Sequence, residues 1–551
     1  MRKAVFPSTL YLPERAALAM HSLSSIIDPE SGLPFCLFDV MSDPPKMDHT
    51  CFDWSDHTAR VIDALLLARA LTGSDEADAI VDSLFASLKK GFGADGLHYT
   101  PDNEWTSEQA NMHYQRSVIN ALLSLCLERE SPEAANLLHG LIDGLYEISV
   151  KREDFWYFPA VEYLPGGWFR GDWTILGYGT DPANTNGRLL FGLCRAWELT
   201  KNNKAAELAK RYVNHIMHHS SAFLPDGSFA TGMEFREGHF HSRAVTILGV
   251  IRYAYTFHDS EALAWGKKVY DKALTYGTSF GWYPERLVKE RAHGCETCAV
   301  VDMMECAIWL AKSGYPQYWE IAERILRNQL VENQITSLDM LIKARERNGI
   351  STTDKKLLLP FVGGFAGWSE PNDLLSKVMH NWDLYLCCCA QGIRGCFNAW
   401  TQATERLGDT THVNLLINYM DDQLRVCSWV PDEGKITVSC SYATRLQVRI
   451  PPWIDLATLQ GSVGCRAVPV AIVEGYLSVS LQAGEELDLR FNMEEKETQE
   501  PMLDTVYLVK WKGNSVQAIS PAGTWIPLYN WRSEVKSSMV ERSSFPIHYH
   551  L

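Results

Sequence analysis

The chain lacks any apolar run approaching the roughly 18 residues that a membrane-spanning helix requires. Positive charge is also scarce. With 51 Lys and Arg against 67 Asp and Glu, the formal net charge is −16, which argues against nucleic acid or an anionic membrane as the main partner. The first residues, Met1-Arg2-Lys3-Ala4-Val5-Phe6-Pro7, are basic but carry neither an apolar core segment nor a cleavage site, so export is not expected. The 14 cysteines lack the dense, even spacing of a disulfide framework. Cys126, Cys194 and Cys306 sit inside apolar helical stretches and read as small buried hydrophobes. A reducing cytoplasm fits best.

What is present is length, helical periodicity and aromatics. At 551 residues the chain exceeds one ordinary domain. Residues 57 to about 420 resolve into one unit used six times: a helix, a short polar turn and a second helix. The units start near His57, His113, Asn184, His239, Glu296 and Cys388. Their turns fall at Leu71–Asp75, Glu130–Glu133, Thr200–Lys204, His258–Ser260, Ser313–Pro316 and Leu407–Thr410. No such hairpin buries its apolar face alone, and closing a ring removes the unpaired ends, so the expected fold is an (α/α)6 toroid. After residue 423 the pattern changes to period two, as in Lys435–Ser441, Arg445–Pro451, Tyr476–Leu481 and Val506–Trp511. The expected division is a toroid over residues 1–422 and a β-sandwich over 423–551. The β-rich tail carries no catalytic constellation and is a candidate homodimer contact.

The long connections, residues 90–112, 150–183, 220–238, 275–295 and 335–387, would all gather at one mouth of the ring, where the first helices begin. Tryptophans in predicted loops (Trp54, Trp105, Trp156, Trp168, Trp173, Trp282 and Trp368) either anchor those loops or offer sugar-stacking faces. His57, His113, His239 and His241, with Asp172 and Trp173, are candidate sugar contacts; Asn184 suits a helix cap. Glu296 and Cys298 open one inner helix, and the run Cys387-Cys388-Cys389 opens the next. A carboxylate with two or three thiols is a shell for Zn²⁺, and helix starts favour thiolates. Whether Cys387 or Cys295 joins that shell stays open at this point.

Glu296-Thr297-Cys298-Ala299, Cys388-Cys389 and the strand Leu446-Gln-Val-Arg-Ile-Pro-Pro-Trp453 resemble glycoside hydrolase family 127, the β-L-arabinofuranosidases. The resemblance covers nearly the whole chain. It implies a zinc ion held by one Glu and three Cys, with one paired thiolate also acting as nucleophile in a retaining displacement. By position, Glu296, Cys298 and Cys389 would be ligands, and Cys388 would be ligand and nucleophile. The family continues its cysteine pair with Pro-Pro-Asn, where this chain reads Ala390-Gln391-Gly392. Its acid/base Glu sits in an upstream Gly-Glu pair, where this chain reads Gly277-Thr278-Ser279-Phe280-Gly281; Glu285, ahead of Glu290, is the replacement candidate. The expected function is therefore a zinc-thiolate glycosidase acting on a small carbohydrate or glycoconjugate. The alternatives are a sugar epimerase, isomerase or lyase with a structural zinc, and a non-catalytic sugar-binding relative.

Overall fold

The computed structural model describes residues 2–104, 106–169, 179–376, 382–529, 532, 537–547 and 549–551. The expected helical hairpins appear as α2 (Thr58–Thr72) with α3 (Asp78–Lys89), and α4 (Met112–Arg129) with α5 (Pro132–Ile148). A short α6 (Pro182–Thr185) leads into α7 (Leu190–Thr200), which pairs with α8 (Asn203–Asn214). Then come α9 (Phe240–Phe257) with α10 (Ser260–Leu274), and α11 (Thr297–Lys312) with α12 (Tyr318–Ile325). A further helix, α13 (Leu338–Arg347), decorates the long connection to α14 (Leu386–Gln402).

The two layers follow from side-chain patterning. In α11 every residue from Thr297 to Ala311 is buried, and α14 is buried from end to end. Outer helices bury one stripe only: Val81, Leu84 and Leu88 in α3, or Ala205, Leu208, Ala209, Tyr212 and Val213 in α8. The turns within hairpins repeat one device. Inner helices α2, α4, α7 and α9 end on left-handed residues, namely Gly73, Glu130, Lys201 and His258. After three of them, Ser131, Asn202 or Asp259 caps the outer helix with its side chain.

The sixth unit departs from the expected series. After α14 the chain makes a β-hairpin, Thr404–Leu407 with Thr410–Val413, turned by Gly408-Asp409. Alternating β-branched residues about a two-residue Gly-Asp loop favour strands there over a helix. The outer partner of α14 is α1 (Leu12–Ser25), which packs between α14 and α2 and closes the ring from the other end of the chain. Strand structure thus begins at Thr404 rather than after residue 423.

The β-rich part contains a five-stranded and a six-stranded sheet that share one apolar core, including Val426, Val438, Leu446, Val448, Leu487 and Leu489. A third sheet, Glu495–Met502, Thr505–Lys512 and Ser515–Ser520, packs Tyr507, Val509 and Trp511 into the toroid's core. Among the described residues no helix is long and apolar enough to cross a membrane.

Arg449, in the strand motif Leu446–Trp453, joins the two parts. Its guanidinium reaches Glu320 at 3.0 Å and the fully buried Glu323 of α12, and Trp453 Nε1 donates to Glu320 at 3.2 Å. Glu323 also accepts from Arg327 at 2.7 Å and from the Leu416 amide at 2.9 Å. Burial pushes this carboxyl up, but the charges of Arg449 and Arg327 outweigh it and bring it down to about 2. Removing one partner leaves buried guanidinium charge uncompensated, so Glu323→Ala should destabilise the protein by about 3–5 kcal/mol in urea unfolding. Because the folded value is depressed, Glu323 stabilises fully above the ordinary carboxylate range near 4.3. That stability should be lost as pH falls from there toward about 2 in an acid titration.

Candidate active site

The inner helices α11 and α14 are neighbours, and their first turns bring three thiols together. Cys298 Sγ lies 3.8 Å from Cys387 Sγ and 3.6 Å from Cys388 Sγ, and the adjacent pair is 3.9 Å apart. Glu296 and Cys298, two residues apart, would diverge on a regular helix. They converge because Glu296 is still extended (φ −64°, ψ 128°), in a two-residue strand pairing Cys295–Glu296 with Trp368–Ser369. Thr297, between them, donates its hydroxyl to the Ala366 carbonyl at 2.7 Å.

Cys389, expected as a ligand, does not join the group. One further residue of helical rotation turns its thiol into the ring wall, where it accepts from the Phe365 amide at 3.3 Å and faces the Phe365 carbonyl. Cys387 occupies the expected place. Cys295 stays outside, accepting from the Tyr283 amide at 3.3 Å. Cys298 and Cys388 are wholly buried, whereas Cys387 retains 8 % exposure beside Tyr385. Burial raises the Cys298 and Cys388 thiols. It acts on Cys387 too, but the donor thiols of Cys298 and Cys388 and the charge of Arg60 outweigh it, bringing that thiol down to about 5.

The histidines expected at the mouth divide into two groups. His239 caps α9, its Nδ1 accepting from the Ser242 amide at 3.3 Å. The ring proton therefore sits on Nε2, aimed between Glu285 Oε1 at 3.3 Å and Glu296 Oε1 at 3.4 Å. Glu296 Oε2 is buried with no hydrogen-bond partner. His241 places a ring nitrogen within 4.8 Å of both Glu296 and Cys298. Arg188 donates to its Nε2 at 2.8 Å, so its proton lies on Nδ1, 2.7 Å from Asp302. Burial and nearby arginines hold both rings neutral, well below the ordinary imidazole range.

His57 and His113 both face Asp56. His57 is fully buried, with Nδ1 2.5 Å from Cys36 Sγ, and so does not face the thiols as a sugar contact would. His113 Nε2 and His57 Nε2 each lie 3.9 Å from the same Asp56 oxygen. Asp172 and Trp173 lie outside the described residues. Asn184 does not simply cap a helix; its Oδ1 accepts from Arg188 Nε at 2.9 Å and orients that guanidinium toward His241.

Glu285, the upstream carboxylate, reaches the site through a loop pinned by its own backbone: its carbonyl accepts from Phe240 N at 3.0 Å and its amide donates to Ala292 O at 3.1 Å. Burial raises its carboxyl, against the charges of Arg286 and Arg236 and the indole of Trp368. Glu290 is exposed. Trp282 proves to be an anchor, wholly buried with Nε1 donating to Ser369 O at 2.8 Å. Trp368 stands beside the site, stacked on Tyr385 with centroids 5.3 Å apart. Reasoning from sequence missed Arg188 and Asp302, although Arg188 lies one helical turn beyond Asn184.

No protein-family model matches the chain, and no curated protein matches it by sequence. Solved structures do. A family 127 β-L-arabinofuranosidase from Geobacillus stearothermophilus T6 aligns over 91% of this chain and 80% of its own, at 14% identity and a TM-score of 0.58. The chain is similar to glycoside hydrolase family 127. A second family 127 β-arabinofuranosidase aligns over 92% and 81%, at 14% identity and a TM-score of 0.60. A cellobiose 2-epimerase from Bacillus thermoamylovorans covers 70% of this chain and 96% of its own, at 11% identity and 0.51. At these identities the likeness is one of fold, and it spans both the toroid and the β-rich part.

The orientation of the cysteine run is open to direct measurement. Under native conditions, iodoacetamide should label exposed Cys465 first, and Cys387 ahead of Cys298, Cys388 and Cys389. Peptide mass spectrometry reads the order; Cys389 labelled before Cys387 would contradict the helix rotation described here.

Proposed function

We propose that the protein is a retaining glycoside hydrolase whose nucleophile is the Cys387 thiolate, acting on β-L-arabinofuranosides or closely related small glycosides. The observation that carries this reading is the meeting of three thiols beside Glu296 and a second, half-buried carboxylate, Glu285. Three sulfurs within 4.8 Å of one another, with Glu296 within 4.8 Å of Cys298 and its Oε2 buried and unpartnered, are donors suited to Zn²⁺. Glu296, Cys298, Cys387 and Cys388 would hold it, and when bound it would keep these sulfurs as thiolates at neutral pH. The nucleophile assignment passes from Cys388 to Cys387 because Cys387 is the thiol that retains a face toward substrate.

In this reading the Cys387 sulfur forms a bond to the anomeric carbon as the glycosidic C–O bond breaks. Glu285, its carboxyl raised by burial, gives its proton to the departing oxygen and then takes one from the water whose attack on the anomeric carbon breaks the C–S bond and returns the thiolate. His239 donates from Nε2 between the two carboxylates and keeps both oriented. Arg188, Asp302 and His241 form a rigid polar wall suited to sugar hydroxyls. All 14 cysteines are free, which accords with a reducing cytoplasm.

A sugar epimerase on the same toroid is the second reading. It is favoured by the neutral pair His239 and His241, whose rings lie 6.2 Å apart. The two readings separate on one variant. Cys387→Ala should abolish turnover of an aryl β-L-arabinofuranoside with circular dichroism unchanged; retained turnover of any sugar would favour the histidine chemistry. Glu285→Gln should lower kcat/KM by about 10²–10⁴-fold. Because the Glu285 carboxyl is raised, wild-type activity should persist above the ordinary carboxylate range and fall on an alkaline limb, which the Gln variant lacks.

A further inference from the structure

A second group of metal-ligating atoms lies on the far side of Tyr385 from the thiols. Cys36 Sγ contacts Asp53 Oδ1 and stands 2.5 Å from His57 Nδ1, while His57 Nδ1 and Asp53 Oδ1 are 3.7 Å apart. All three side chains have zero solvent exposure. The sequence brings them together by two local means. Asp53 and His57 are four residues apart in the helical turn that leads into α2, so they share one face. Cys36 enters from the strand pairing that joins residues 37–39 to residues 46–48.

Surrounding groups orient each of the three atoms. His49 Nδ1, at 2.6 Å, and the Thr50 amide, at 3.1 Å, hold the outer oxygen of Asp53, while Oδ1 contacts the sulfur and accepts longer bonds from the Thr50 amide at 3.3 Å and hydroxyl at 3.4 Å. On the other side of the ring, His57 Nε2 is buried with no hydrogen-bond partner and lies 3.9 Å from the Asp56 carboxylate. That carboxylate is itself held by Arg60 at 3.0 Å. With the ring proton on Nε2, toward that carboxylate, the Nδ1 lone pair would face Cys36 and Asp53. A carboxylate behind the imidazole is the usual outer shell of a metal-bound histidine.

We propose that Cys36, Asp53 and His57 form a second zinc site, distinct from the thiol group of the active centre. One thiolate, one imidazole and one carboxylate suit Zn²⁺. Loading forms the Zn–S bond as the Cys36 proton leaves to solvent. With Zn–S of about 2.3 Å and Zn–N of about 2.0 Å, the sulfur swings outward by about 1 Å. The site is placed to brace the active centre: the Cys36 carbonyl accepts from Leu386 N at 2.9 Å, at the first residue of α14. The His57 ring meets Tyr385 edge-on at 5.3 Å.

The test is zinc per chain, by plasma mass spectrometry, on full-length protein saturated with Zn²⁺ and desalted. Wild type should hold two ions. Cys36→Ser and His57→Gln should each lose one, and the double variant Cys298→Ser/Cys387→Ser should lose the other. In the double variant, Co²⁺ should give a near-ultraviolet charge-transfer band that Cys36→Ser removes. No ion in saturated wild type, or zinc content undiminished in Cys36→Ser, overturns the proposal. An ion lost only from the Cys36 and His57 variants supports this site and overturns the zinc-thiolate reading of the other.

Discussion

The segment Ala366–Ser369 is the staple on which the active centre depends. It bridges to Leu384 on one side and pairs Trp368 with Glu296 on the other, so the first turns of α11 and α14 are held at one level in the ring. Gly367 permits this: a Cβ there would stand 3.0 Å from that of Tyr385 and 3.2 Å from the Tyr385 amide nitrogen. Without the staple, three thiols on two helices would have no reason to meet. With it, the positive ends of two helices converge on the same sulfurs.

Around that point the ring concentrates buried charge. Arg116, Arg188 and Arg236 lie around Glu285, Glu296 and Asp302, and burial pushes all three carboxyls up. The two histidines that face them are driven neutral by burial and by the same arginines. Burial of this kind favours the neutral form of carboxyls and imidazoles alike.

The β-rich part contributes indirectly. Its strand motif places Arg449 and Trp453 against Glu320 and Glu323 of α12, so the resemblance in that strand has a mechanical reason in this chain. The third sheet lends its aromatic residues to the toroid's own core. The two parts therefore share buried charge and apolar surface.

Helical periodicity, polar turns and the clustering of long connections sufficed to read the toroid, because apolar spacing at 3.6 residues has few other meanings. Glu296, Cys298 and the cysteine run were legible as candidate metal donors from their chemistry alone. Three things were not. The closing helix α1 lies at the opposite end of the chain from its partner, and local pattern carries no sign of that contact. His57 opens an inner helix as His239 does, yet its ring points at Cys36, a direction set by a strand pairing distant in sequence. In a run of three identical cysteines, composition cannot say which two face the centre. The sequence by itself determined which chemistry gathers at the mouth of the ring; the tertiary structure decided which atoms meet. A helix turns each successive residue by about 100°, and only the packing of α14 against its neighbours sets the angle from which that rotation starts.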